Sequence, residues 1–417
     1  MQRTDAGAAG FPLAELRHAV DAGIGRWLDR GSGSGGSGSG CSGSGGLADA
    51  QRWALSPPGK LVRPLALLAS AGAVGGRYEA VLPAAVGVEL AHVATLVHDD
   101  IIDGDGLRRG RAAAHRKFGT AHGMLAADAL FFALFQQLGA CRRSGVPDRS
   151  VLDAVEALGA AGQRTARGVA QEIALSGGLH GLTGRADGGI AAYVEMVRLK
   201  SASLFHAACH VGALLGGGSA EQTRLLGAYG EAVGIAFQIR DDLLPYVARE
   251  DGDAGPRAGK PVCSDLRNRR PALPVLLTHR LGGSAERAVL AELVDGTADA
   301  PARRRRLAEL ARDTGALHAA RSMARAYVDR CHRALAPVPA GADRDRLARL
   351  ADEVAETAYD DGDGCGNGHV DEHMDVNRHV DGDGGGDRDG AGHGPGSGPA
   401  PAPHAVPPLP GGDRRAP

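Results

Sequence analysis

The sequence predicts an all-α protein, and three observations carry that expectation. Aromatic residues make up only 4% of the chain, whereas strands are built from aromatic and β-branched side chains. The middle of the chain is a succession of Ala-, Leu- and Val-rich stretches, the composition of packed helices. Within them apolar residues recur at steps of three and four, the helical period.

Each region follows from local composition. Residues 1–30 hold one amphipathic helix over 12–29, with Leu13, Leu16, Val20, Ile24 and Leu28 on one side and Pro12 near its start. Residues 31–46, GSGSGGSGSGCSGSGG, have the composition of a random coil. Such a linker spans roughly 20–24 Å on average, short enough for the first helix to dock back on the rest. Residues 47–356 form the main domain, with roughly ten to twelve helices separated by Gly and Pro. The punctuation includes Pro57-Pro58-Gly59, Gly104, Gly145, Gly177-Gly178, Gly216 and Pro337. Residues 357–417 turn to Asp, Gly and His and then to Pro and Ala. Too little apolar surface remains there to offset the entropy of ordering, and a disordered tail is expected.

Bulk properties exclude several function classes. A formal net charge of -2 offers no general attraction to nucleic acid or anionic membrane. The six cysteines are scattered without close pairs, so neither a disulfide framework nor a structural zinc site is indicated. No basic start followed by an apolar run opens the chain, and no stretch of about 18 uncharged apolar residues stands out. The chain is read as soluble and cytoplasmic, without a transmembrane segment.

Chemistry concentrates in two acidic stretches. In His98-Asp99-Asp100-Ile101-Ile102-Asp103 the residues Asp99 and Asp103 are four apart and project side by side on a helix. Val86, Leu90, Val93, Val97 and Ile101 make a separate apolar stripe. Carboxylates at this spacing repel, so a cation should compensate them. Oxygen ligands of this type suit magnesium. Alone, the stretch reads equally well as a solvated acidic helix end. The sequel Leu107-Arg108-Arg109-Gly110 changes the balance, because two guanidiniums just past the acids can clamp diphosphate oxygens. The second pair, Asp241-Asp242, follows Phe237-Gln238 near the end of a helix whose apolar positions indicate burial, and buried acids need partners.

Besides the arginine pair Arg108-Arg109, three further cationic sites accompany these acids. Lys60 and Arg63 in Gly59-Lys60-Leu61-Val62-Arg63-Pro64 are three apart and are expected on one face of a first helical turn, itself an anion site. Lys200 lies in an otherwise apolar helix, and Lys260 in Gly259-Lys260-Pro261 after Asp242. His92, seven residues before Asp99, falls on the acids' helical face. A snorkelling lysine or a structural histidine is the plain alternative for each taken singly.

Together these residues resemble the trans-isoprenyl diphosphate synthase, or polyprenyl synthetase, family. DDIID with LRRG, GKLVRP, Lys200-Ser201, FQIRDD and the loop GKPVCSDLRNRRPALP match its motifs in order over about residues 50 to 285. The resemblance implies an isoprenoid synthase-type antiparallel helical bundle around a central cavity, with the two acidic motifs facing each other at its mouth. It implies that Asp99, Asp103 and Asp241 coordinate magnesium, about three ions with diphosphate bound, with Asp100 and Asp242 in support. Arg108, Lys200, Gln238 and Lys260 would hold the allylic diphosphate, and Ser201 and Arg270 would be further substrate-binding residues. Lys60, Arg63, His92 and Arg109 would hold isopentenyl diphosphate. The implied reaction ionises the allylic diphosphate, lets the isopentenyl double bond attack the cation, and releases pyrophosphate. A homodimer is implied as well.

Some positions depart from the family pattern. Pro245 stands where the second motif normally ends in a third aspartate, and is expected to end the helix at Leu244. Arg269-Arg270 replace a Gly-Lys pair, and Ala272 a threonine. These differences leave an inactive or regulatory subunit as the alternative. For product length, Thr95, His92, Ala91 and Val88 form a strip of roughly 16 Å below Asp99. Ala94 and Thr95 stand where bulky residues would stop growth near the farnesyl length, so geranylgeranyl or longer products are expected. Phe131, Phe132 and Phe135 are candidates for the cavity floor, with ordinary core packing as the alternative. The Pro/Ala/Gly end is expected to dock to a partner or assembly.

Overall fold

The computed structural model describes residues 13–32, 45–176, 189–247, 270, 272–296 and 300–356. The tail, most of the Gly/Ser linker, Lys260 and Arg269 therefore lie outside the described residues. Among the described residues fifteen α-helices and a single two-stranded ribbon form the fold, more helices than the punctuation indicated. The all-α architecture agrees with the low aromatic and β-branched content.

In chain order the helices are α1 (Leu13–Ser32), α2 (Gly45–Leu55), α3 (Val62–Ala73) and α4 (Tyr78–Asp103). The strands β1 (Leu107–Arg108) and β2 (Arg111–Ala112) pair antiparallel, Arg108 opposite Arg111. Next come α5 (Ala114–Phe118), α6 (Thr120–Arg143), α7 (Asp148–Leu175) and α8 (Ile190–Val197). A π-helical turn, Arg198–Ala202, leads into α9 (Ser203–Leu215) and α10 (Ala220–Val247). The described chain closes with α11 (Leu273–Leu281), α12 (Ser284–Asp295), α13 (Ala300–Asp313), α14 (Ala316–Leu335) and α15 (Ala342–Glu356).

Two apolar clusters form the interior. One gathers α1, α3, α4, α6 and α7, with Leu16, Val20, Val86, Leu90 and Leu134 among its members. The other gathers α8 and α10 to α15 around Tyr229, Ile239, Leu243 and Leu276. Helices α3 and α9 serve both, since Ala66 and Phe205 belong to the second while Leu67 and Ala208 belong to the first. A helix apolar on all sides can sit only between two cores. The first helix docks as expected, with Leu16 and Val20 at 3% and 0% exposure.

Helices α4 and α6 are long and apolar enough to pass for membrane spans by length and composition, but they pack on each other. The apolar span of α4 is 67% buried within the fold, which makes it a core helix. On α6 the residues Met124, Leu125, Phe132 and Phe135 are exposed. Their spacing sets them within one arc of the helix, facing outward.

Two local expectations are corrected. Pro245 does not end its helix at Leu244, because α10 runs to Val247. A proline so near the terminus forfeits one backbone hydrogen bond in the last turn, and the Arg304 Nη1 donates to its carbonyl at 2.8 Å. Lys60 is not in a helical turn. Helix α3 starts at Val62, and Leu61 before it adopts a left-handed backbone at φ 55°. Cys141, Cys209 and Cys331 are free and buried.

Candidate active site

Helix α4 delivers its three aspartates at its C-terminal end, where Gly104 at φ 65° turns the chain out toward the β-ribbon. A left-handed residue at that position favours glycine. The ribbon folds Arg108 back on the helix. Its Nε donates to both carboxylate oxygens of Asp100 at 2.9 and 3.1 Å, and Nη2 donates as well. Burial alone would lower the Arg108 pKa, but the hydrogen bonds to Asp100 and the charges of Asp100 and Asp99 carry it above the ordinary value. Asp100 is thus committed to Arg108, while Asp99 and Asp103 meet other cations.

Those cations form a chain of alternating charge. Lys200 Nζ lies 3.9 Å from Asp99 Oδ2 and 2.6 Å from Glu172 Oε2. Arg270 Nη1 lies 3.4 Å from the same Glu172 oxygen, and Nη2 donates to Asp103. The order is Asp99, Lys200, Glu172, Arg270, Asp103. All five side chains are at most 19% exposed. Burial opposes the charge of Lys200, yet Asp99 and Glu172 raise its pKa above the ordinary lysine value. Asp103, expected to present its carboxylate outward, is buried because Arg270 covers it.

The second acidic pair divides its duties. Asp242 is buried and accepts from Tyr193 Oη at 2.7 Å, Gln238 Nε2 at 2.9 Å and the Leu273 N–H at 3.2 Å. Asp241 is not buried as expected. Its side chain is 40% exposed, with Arg240 Nη2 at 2.8 Å.

Two short segments tie the acidic helices together. In the π-helical turn, Lys200 reaches Asp99 on α4 while its neighbour Ser201 donates to Gln238 on α10 at 2.7 Å. At the start of α11, Arg270 reaches Asp103 while the Leu273 N–H reaches Asp242. Residues at most three apart in sequence therefore touch opposite acidic motifs. The turn sits close because Gly168 of α7 leaves room. A Cβ there would meet the Lys200 backbone nitrogen at 2.3 Å.

Two of the remaining expected residues, Arg63 and His92, meet beside α4. Arg63 Nη1 hydrogen-bonds His92 Nε2 at 3.1 Å, and its guanidinium lies 4.2 Å over the Phe205 ring. Burial lowers the Arg63 pKa to about 10, against the charges of Glu89 and Asp241. Its Nε is buried without a hydrogen-bond partner among the described residues, which leaves a donor for an anion. Burial, then Arg63, Arg109 and Arg108, hold His92 well below the usual imidazole range, so it is neutral at neutral pH. Arg109, at φ 51° in the ribbon turn, donates to the Pro57 carbonyl.

The sequence reading missed Glu89 and Glu172. Glu89 is 3% exposed and its pKa is raised to about 7 by burial, which Arg63 and Arg109 oppose. Glu89 is visible in sequence only as a lone acid inside an apolar helix, a weak signal, and Glu172 is one of several acids on the amphipathic α7, with nothing local to set it apart.

The cavity-floor expectation is not met. Phe131 lies 5.7 Å from the His98 ring, level with the acidic motif rather than below it. Phe132 and Phe135 are 70% and 42% exposed on the outer face of α6. Along α4, His92 and Thr95 are half-buried, whereas Val88, Ala91 and Ala94 are buried. The Thr95 hydroxyl donates back to the His92 carbonyl at 2.7 Å.

The donor set suits a hard divalent cation, since Asp99, Asp103 and Asp241 offer only oxygen. Among the described residues no three metal-binding groups already converge. Lys200 and Arg270 supply the compensating charge between the acids.

Comparison with known proteins identifies the family. The profile of the polyprenyl synthetase family matches residues 46–311. The chain is 35% identical to a geranylfarnesyl diphosphate synthase of Aeropyrum pernix over 315 residues, 74% of this chain and 94% of that protein. It is 32% identical to a farnesyl diphosphate synthase of Geobacillus stearothermophilus, covering 66% and 86%. A Caulobacter crescentus polyprenyl synthase, solved with calcium and isoprenyl diphosphate, superposes with TM-score 0.69 at 30% identity, covering 82% of this chain and 96% of that one.

Proposed function

The chain belongs to the polyprenyl synthetase family of prenyltransferases, and from that premise we propose that it condenses isopentenyl diphosphate head-to-tail with an allylic diphosphate. The product is a trans prenyl diphosphate of geranylgeranyl length or longer, and pyrophosphate is released. The observation that carries this reading is the π-helical turn Arg198–Ala202, whose Lys200 and Ser201 engage the two acidic helices. A diphosphate held there meets acids from both sides.

Magnesium, held by Asp99, Asp103 and Asp241 with Asp100 and Asp242 behind them, would neutralise the departing diphosphate. Lys200, Arg270, Arg108, Ser201 and Gln238 hold that diphosphate by hydrogen bonds and charge. Outside the described residues, Lys260 is assigned with them on its motif alone. Lys60, Arg63, His92 and Arg109 hold the diphosphate of isopentenyl diphosphate. Neutral His92 donates or accepts without adding charge. The buried apolar residues of α4 and α9 exclude water from a carbocation formed beside them. The proton lost after attack passes to the departing pyrophosphate.

The chain is read as a homodimer, since the exposed stripe of Met124, Leu125, Phe132 and Phe135 suits an isologous contact with a second copy. It is read as cytoplasmic, with the tail 357–417 docking to a partner or assembly. Incubation with labelled isopentenyl diphosphate, allylic primers of rising length and magnesium, followed by sizing of products, tests the function. A chain that consumes neither substrate sinks it.

Pro245 and Arg269-Arg270 favour a second reading, an inactive or regulatory subunit. Pro245→Asp separates the two, because an active enzyme gains magnesium affinity with the added carboxylate while an inactive subunit stays silent.

A further inference from the structure

The segment between α2 and α3 carries Lys60 in an irregular backbone, and arginines hold it from outside. The Ser56 carbonyl accepts from Arg111 Nη1 at 2.8 Å, and that of Pro57 from Arg109. The carbonyls of Lys60 and Gly59 both accept from Arg17, through Nη1 at 2.6 Å and Nη2 at 3.5 Å. Arg111 is itself stacked 3.4 Å over Trp53, whose indole N–H donates to the Ala112 carbonyl at 2.9 Å.

Arg17 differs from the others in origin. It belongs to α1, which lies beyond the Gly/Ser stretch in sequence and docks through Leu16, Val20 and Ile24, all under 9% exposed. The backbone it holds is strained. Leu61, the next residue, is left-handed at φ 55° with its side chain buried, a conformation that costs a non-glycine residue about 1–2 kcal/mol. A planar guanidinium can satisfy two adjacent carbonyls at once, which a lysine ammonium does less well. With those carbonyls drawn toward α1, the first amides of α3 and the side chains of Lys60 and Arg63 are left to an anion.

We propose that Arg17 is a positioning residue for isopentenyl diphosphate, acting through the carbonyls of Gly59 and Lys60 to hold Lys60 in register. The first helix is then a working part of the site and not only a cover for the core. The inference rests on the assignment of Lys60 and Arg63 to isopentenyl diphosphate.

The test uses the full chain with Arg17→Ala and Arg17→Lys. Removing hydrogen bonds to a charged group should raise KM for isopentenyl diphosphate about tenfold. KM for the allylic substrate and kcat should stay within about twofold, and Arg17→Lys should recover part of the loss. Amide exchange over residues 59–63 should quicken in Arg17→Ala while that of α4 is unchanged. Unaltered exchange overturns the proposal, as does an equal loss toward both substrates, which would mark general destabilisation. A wild-type chain that ignores isopentenyl diphosphate overturns the underlying assignment, and is told apart because it fails before any substitution.

Discussion

Replacing Glu172 by glutamine keeps its volume and removes the charge that separates Lys200 from Arg270. In the native site Lys200 Nζ lies 2.6 Å and Arg270 Nη1 3.4 Å from one Glu172 oxygen. A buried hydrogen bond between charged groups contributes about 1.5–3 kcal/mol, and the two cations then repel each other with less between them. A loss of roughly 2 kcal/mol lowers the melting temperature by about 4 °C for a domain of this size. Displaced from Asp99, Lys200 no longer meets the allylic diphosphate, and kcat/KM should fall about 10- to 100-fold. The chain of Asp99, Glu172 and Asp103 against Lys200 and Arg270 also changes from three acids against two cations to two against two, so the magnesium midpoint should rise. Differential scanning calorimetry and initial rates over a magnesium series measure all three. Glu156→Gln, an exposed acid on the same helix, serves as control. Melting and magnesium dependence indistinguishable from wild type would refute the idea that Glu172 spaces the two cations.

Other perturbations read different parts of the molecule. Ala94→Phe should shorten the product, because Ala94 is fully buried on the helix below the acids; overpacking costs about 1–3 kcal/mol, so product sizing is read beside the melting curve, and an unchanged length would sink this account of the cavity. Glu89→Gln should flatten the pH dependence of stability. The raised carboxyl keeps its proton in the folded chain up to about pH 7 after the unfolded chain has released it near 4.5, so wild-type stability falls as pH rises through that window; denaturant midpoints from pH 4 to 8 that fall equally in both proteins would contradict it. Phe132→Asp should convert a dimer to a monomer in sedimentation, since Phe132 is 70% exposed; an unchanged mass would locate self-association elsewhere or remove it.

Some of this was readable because the causes are local. A period of three to four fixes an amphipathic helix such as α1, whose Leu16, Val20 and Ile24 all turn inward. Two acids four apart must share a helical face. The aspartates, the arginine pair of the ribbon and Lys200 are likewise visible as residue types. Reading fails where a helix is apolar on several sides. On α6 the pattern does not say which face is outermost, and Phe132 and Phe135, expected within, are exposed. It fails again at Pro245, where a breaker near a terminus loses a single bond and the helix continues.

Fold class, the acidic and basic groups and the chemistry they suit follow from residue types and their spacing along the chain. Their pairing is set by the packing of distant helices. Glu172 meets a lysine 28 residues away, and Arg17 meets a carbonyl 43 residues away. Periodicity reports what a residue does within its own helix. Coulombic and hydrogen-bond partners across helices depend on how packed cores bring distant termini together, so Asp100 falls to Arg108, Asp103 to Arg270, and Asp99 to Lys200.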